Sequence, residues 1–197
     1  MLYNNLYDLF GKLAGLLSFL AFIPYILSTL RGKNRPNRAT WFIWTLVGVS
    51  FLMSYSAVGA QETLWLTIGN LVAFTFVLLL SFKYGEGGWT FFDVACLLGA
   101  FFGFALWAWF SSPLPTLFSS ILIDAVGALP TIRKAYQNPE SEDLLSWIIF
   151  FIANLLNLFA IRHWTLVMAA YPVYMVLITF LLVGVLGVRR TQSVLQK

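Results

Sequence analysis

Apolar positions along this chain neither alternate nor mark out one narrow face. They form seven long runs, at about 13–30, 40–58, 63–82, 91–110, 116–133, 144–161 and 164–188. Roughly 17–25 apolar residues is the length that crosses about 30 Å of hydrocarbon as a helix. A barrel would need short alternating strands, so the runs predict helices, whose backbone hydrogen bonds are satisfied internally in lipid. Polar residues gather in short connections with turn chemistry: Asn34-Arg35-Pro36-Asn37 after the first run, Gly85 to Gly88 after the third, Ser111 to Pro115 after the fourth and Gln137 to Asp143 after the fifth. The expected fold class is an all-α membrane protein of seven transmembrane helices.

Composition agrees, since 60% of the chain is hydrophobic and 10% charged, too few ions to cover a soluble surface. The segment Leu13 to Leu30 has the look of a signal h-region, but a basic loop follows it instead of a cleavage site, so it is read as the first span. The single Cys96 excludes an internal disulfide and the single His163 excludes a His-rich metal site; no metal and no cofactor are expected.

Charge then orients the spans. Arg31, Lys33, Arg35, Arg38, Lys83, Arg133, Lys134, Arg189, Arg190 and Lys197 fall on one side of a seven-span chain, against Lys12 and Arg162 on the other. The positive-inside rule puts the first side, with the carboxyl terminus, in the cytoplasm and the amino terminus outside. The net charge of +4 needs no nucleic-acid partner, and contact of the basic run Arg31 to Arg38 with anionic lipid is the minor alternative. Compact loops point to a prokaryotic inner membrane, with the bilayer and a small solute as partners and a homo-oligomer left open.

An internal repeat sets the architecture. Pro24 and Trp41 have twins in Pro130 and Trp147, 106 residues on; Thr40 corresponds to Ser146 and Ser18 to Asp124. That interval accommodates three spans, one extra crossing and a restart, giving a 3+1+3 plan in which two three-helix units run parallel about an axis along the membrane normal. The expected units are 1–84, a linker helix within 85–112 whose aromatics Phe101, Phe102, Phe104, Trp107 and Trp109 face lipid or anchor at the interface, and 113–197.

Two three-helix units, each with a proline near one end of its first helix, a short polar loop and a Ser/Thr-Trp pair opening its second helix, resemble the SWEET and PQ-loop superfamily of transporters. The namesake Pro-Gln pair is replaced by Pro24-Tyr25 and Pro130-Thr131. Asp124, Trp147-Ile148-Ile149, Asn154, Tyr171 and Tyr174 in the second unit also resemble the bacterial nicotinamide riboside transporters, and KDEL receptors share the plan while binding peptides. The resemblance implies a central pocket to which an asparagine of the third helix contributes, a position matched by Asn70.

The candidate chemistry centres on Asp124, an acid inside an apolar run, where a charge costs about 2.5–3.5 kcal/mol on insertion scales. It shares a helix face with Gly127, Ala128 and Thr131, a strip that admits a neighbouring helix or a ligand. One reading makes Asp124 a proton-exchanging group, the other a structural hydrogen-bond partner. Asn70 and Asn154 can donate to and accept from hydroxyls, and Trp44, Tyr171 and Tyr174 offer rings that stack on sugars or bases; interhelical packing is the plain alternative for each. Trp41 and Trp147, near the ends of their helices, are read as an interfacial belt or a gate. Pro24 and Pro130 are read as paired hinges or as static kinks.

No paired acids, Ser-His pair or metal cluster at helical spacing is found, so no enzyme is expected, and the last span lacks the lysine that an opsin needs. The leading expectation is a transporter of a small polar solute, a sugar or a nucleoside- or vitamin-like molecule, working by alternating access. A membrane receptor on the same scaffold, binding without translocation, is the alternative.

Overall fold

The computed structural model describes residues 2–57, 61–86, 89–109, 113–161 and 164–195; Arg162 and His163 lie outside them. These residues form seven α-helices and one 3-10 turn, with no strand among them: α1 (Leu2–Leu30), α2 (Arg38–Ala57), α3 (Gln61–Tyr84), α4 (Phe91–Trp109), α5 (Pro113–Gln137), the turn Pro139–Ser141, α6 (Leu144–Phe159) and α7 (Leu166–Leu195). Each apolar run thus becomes one helix. Helices α1, α5 and α7 outrun their apolar stretches, because helical hydrogen bonding continues through polar ends such as Arg189-Arg190-Thr191.

Two stretches, Leu9–Leu30 and Ala169–Ser193, are long and apolar enough to cross a membrane. Shorter apolar stretches are Asn70–Tyr84, Phe91–Ala105 and Leu144–Phe159. Helix α6, with 16 residues, is only about 24 Å long at 1.5 Å per residue.

Helix α3 packs on α1 and on α2, and α7 packs on α5 and on α6. The two triplets meet through α1 against α6 and through α5 against α2. Each of these pairings maps onto another when α1, α2 and α3 exchange places with α5, α6 and α7. Helix α4 packs on α5 and also touches α2.

Local signals repeat in the same way. Asn37 Oδ1 accepts from the Thr40 amide at 3.2 Å at the start of α2, and Asp143 Oδ1 accepts from the Ser146 amide at 2.8 Å at the start of α6. Both satisfy amide groups that a helix start leaves without intrahelical partners. Helix α1 stops at a Schellman turn: Gly32, at φ 70°, donates to the Thr29 carbonyl while the Lys33 amide donates to that of Ser28.

The ends of α1, α3, α5 and α7 and the starts of α2, α4 and α6 meet at one end of the bundle. Arg38 Nε donates to the Ser81 carbonyl at 3.1 Å, Asn37 Nδ2 to Asp93 Oδ1 at 3.1 Å, Arg133 to Thr90 Oγ1 at 3.1 Å and Arg189 Nε to the Tyr136 carbonyl at 2.9 Å. Most of the basic residues therefore share this end, called the basic end below.

The polarity of the bundle is inverted relative to a soluble protein. Outward-facing stripes are apolar, as with Leu16, Phe19, Ile23 and Leu27 on α1, Val72, Phe76 and Leu79 on α3, and Leu177, Phe180 and Leu181 on α7. Phe101, Phe102 and Trp109 of α4 also stand outward, whereas Phe104, expected beside them, packs inward against the cluster of Ile43, Val47, Cys96, Ala100 and Ile123, because its helix face meets α5 and α2; the Trp107 side chain lies outside the described residues. Thr29, Asn34, Thr40, Asp93, Asp124, Thr131, Lys134, Glu142 and Ser146 are buried. Apolar patches of this extent on an exterior mark contact with lipid or protein.

Small residues bring the helices close enough for such packing. Gly99 and Gly103 of α4 face Val126 and Ile123 of α5, and a Cβ on Gly127 would stand 2.7 Å from Ile43 Cγ2 of α2. Gly127→Val should therefore lower stability in detergent by about 1–3 kcal/mol, the usual cost of overpacking, measured by thermal unfolding. Gly184→Ala, facing open space, should leave the transition unmoved.

Candidate functional site

Asp124 lies on the face of α5 that meets α2, and only 6% of it is exposed. Its Oδ2 accepts from the Tyr174 hydroxyl of α7 at 2.7 Å, and its backbone carbonyl accepts from Trp44 Nε1 of α2 at 3.3 Å. The acid thus sits where the two triplets touch, with a partner from each. The small-residue strip predicted beside it receives a helix: Gly127 lies against Ile43 and Trp44, and Thr131 Oγ1 donates to Thr40 Oγ1 at 2.9 Å.

Toward the basic end the junction fills with rings from both triplets. Trp41 stands edge-on to Trp44 with centroids 5.2 Å apart, Trp44 lies 6.2 Å from Trp147, and Phe22 meets Phe150 at 5.0 Å. Tyr25 lies 5.1 Å from Trp41 and 6.3 Å from Trp147. Trp41 Nε1 donates to the Tyr25 hydroxyl at 3.1 Å, and Trp147 Nε1 donates to Glu142 Oε2 at 2.8 Å.

The belt expected of Trp41 and Trp147 is corrected by this packing. They are 1% and 3% exposed, and a belt residue has to reach the headgroups. The reason is that their helix faces meet the opposite triplet, and their indole N–H groups find partners inside it.

The other candidates surround this core less tightly. Tyr171 lies 6.0 Å from Tyr174, ring to ring, and Asn154 Nδ2 donates to the Phe150 carbonyl of its own helix at 2.9 Å. Asn70 and Asn154 are half-buried, and each reaches the ring cluster through a residue one turn away, Phe74 and Phe150. Pro24 and Pro130 lie inside α1 and α5, which continue through them. An open apolar groove of about 430 Å³ runs along the outward face of α3 past Leu71, Val72, Thr75, Phe76 and Leu79, none of them a candidate. Among the described residues no cluster of His, Cys, Asp and Glu is arranged to hold a metal ion.

Sequence reading missed one feature of the junction. Lys134 forms a buried ion pair with Glu142, both side chains being 1% exposed or less. Lys134 Nζ also donates to the Arg35 carbonyl and, at 3.4 Å, to that of Ser141. Lys134 had been counted only among the charges that orient the chain, and Glu142 among the acids of a turn. The available signal was helical: 124, 127, 131 and 134 fall on one face, so a buried Asp124 implies a buried Lys134.

No protein-family model, curated protein or solved structure matches the chain. Fold and site together define an all-helical bundle with an apolar exterior, two helices of membrane-crossing length and an acid enclosed between two helix triplets.

Tyr174→Phe removes the only hydroxyl described on the Asp124 carboxylate. It should cost about 1–3 kcal/mol, the range for a buried polar group left unsatisfied, read as a lower unfolding temperature in detergent.

Proposed function

We propose that this protein is a membrane transporter for a small polar solute, a sugar or a nucleoside- or vitamin-like molecule, working by alternating access between the α1–α3 and α5–α7 triplets. The observation that carries the reading is the enclosure of Asp124 at their junction, held by Tyr174 from one triplet and Trp44 from the other. An intramembrane acid between repeats is where transporters bind substrate and coupling ions. All seven helices span the bilayer in this reading, with α4 as the linker of a 3+1+3 plan like that of the SWEET and PQ-loop superfamily. Its support is the exchange pattern of helix contacts, the twin caps at Asn37 and Asp143, and the apolar exterior.

The basic end faces the cytoplasm. The solute lies among Trp44, Asn70, Asp124, Asn154, Tyr171 and Tyr174, on the side of the ring cluster away from that end. Trp41 and Trp147 form the gate beneath it, Pro24 and Pro130 are the hinges, and Asp124 exchanges the coupling proton.

The test has two arms. Purified protein is screened by thermal unfolding against sugars, nucleosides including nicotinamide riboside, amino acids and short peptides. A ligand at 100 times its dissociation constant should stabilise the fold by about 2.7 kcal/mol, and Asn70→Ala and Asp124→Asn proteins that still fold should lose the shift. In proteoliposomes the same compound should be taken up faster under a proton gradient, and Asp124→Asn should abolish that acceleration. Unchanged coupling in Asp124→Asn removes the acid from the mechanism, and saturable binding without flux makes the protein a receptor.

A further inference from the structure

We propose that Lys134, held in place by its ion pair with Glu142, is a latch that ties the two triplets together at the basic end through the Arg35 carbonyl and must release before that end can open. The proposal rests on the transporter reading, since it assigns the latch to one half of the cycle, but its geometry is independent of any solute.

The latch is built from both sides of the junction. Lys134, in the last turn of α5, donates to the Arg35 carbonyl in the connection between α1 and α2. The Arg35 amide donates in turn to the Ser141 carbonyl at 2.8 Å, lacing the two connections together. Glu142 then gathers three groups: its carboxylate takes the Lys134 ammonium and the Trp147 indole N–H, and its carbonyl takes the Arg190 guanidinium of α7. Arg190 Nε also donates to the Pro139 carbonyl at 3.2 Å, which holds the turn in place.

Two features make this a latch and not a further piece of packing. The ion pair lies within the second triplet and aims the Lys134 ammonium across the junction, so separating the triplets at this end pulls the Arg35 carbonyl off Lys134 and draws Trp147 away from Tyr25. It is also single: the repeat places Ser28 and Pro36 where Lys134 and Glu142 stand, so the first triplet carries no twin to take over. A buried ammonium that loses the Arg35 carbonyl needs water in its place, and that coupling ties release to opening.

Accessibility of Thr131, fully buried one turn inside Lys134 on α5, reads the state of this end directly. Full-length Thr131→Cys protein, made in a Cys96→Ser background, is reconstituted in lipid nanodiscs and labelled with a charged maleimide. Labelling should be slow, and Glu142→Gln should accelerate it at least tenfold in protein that stays monodisperse on gel filtration.

A second variant locks this end shut instead of loosening it. Arg35→Cys with Ser141→Cys, oxidised to a disulfide, should suppress the residual labelling of Thr131→Cys at least tenfold, and reduction should restore it. Equal rates in parent and Glu142→Gln, or no protection by the disulfide, would overturn the latch and leave the pair a static staple. A tenfold response in a protein that moves no solute would uphold the latch while the transporter reading fails; flux with no labelling response would overturn the latch alone.

Discussion

A polar side chain placed inside a bundle whose exterior is hydrocarbon-like has no water to fall back on, so its partner must come from the protein itself, and beyond the reach of its own helix from a neighbouring one. Much of the structure follows from meeting that demand. Tyr174 answers Asp124, Thr131 answers Thr40, and Trp41 and Trp147 donate to Tyr25 and Glu142. The first three of these bonds each join two helices, so satisfying the interior and fixing the helix arrangement are there the same event. Lys134 and Glu142 are the extreme case, because removing one partner of a buried pair typically costs about 3–5 kcal/mol.

The frame is close to two-fold while the chemistry inside it is not. Asn37 and Asp143 cap equivalent helices, and α1 meets α6 as α5 meets α2. At equivalent positions, however, Ser18 stands for Asp124, Phe150 for Trp44 and Ser28 for Lys134. The charges concentrate in the second triplet, while the first contributes rings and the Arg35 carbonyl. Such a division repeats the helix contacts in both triplets and leaves the buried charges to one of them.

The seven helices were legible because uninterrupted apolar runs bounded by Pro, Gly and Asn leave few other backbone solutions. The twin prolines and tryptophans also carried the repeat without any contact being known. Burial of Trp41 and Trp147 was not legible: an aromatic near a helix end reads the same whether it faces headgroups or another helix, and only the rotation of α2 and α6 decides. The ion pair escaped for a related reason, since Lys134 and Glu142 are brought together by the turn Pro139–Ser141, whose shape no periodicity encodes. Asp124 was found because its cost is local and shows in the sequence itself.

The seam between α1 and α6 runs from Phe10 beside Phe159 and Gly11 beside Ala160 to Tyr25 beside Trp147. Its two sides are made far apart in time. At roughly 5–20 residues per second, the ribosome needs on the order of ten seconds between finishing α1 and finishing α6. Throughout that interval the side of α1 that meets α6 is unmatched, and α1 is held by α3 and by Trp41 of α2. Newborn chains thus pass through a stage in which half of the eventual junction is presented to whatever surrounds them, and a protective companion during synthesis would have its longest engagement with this first helix.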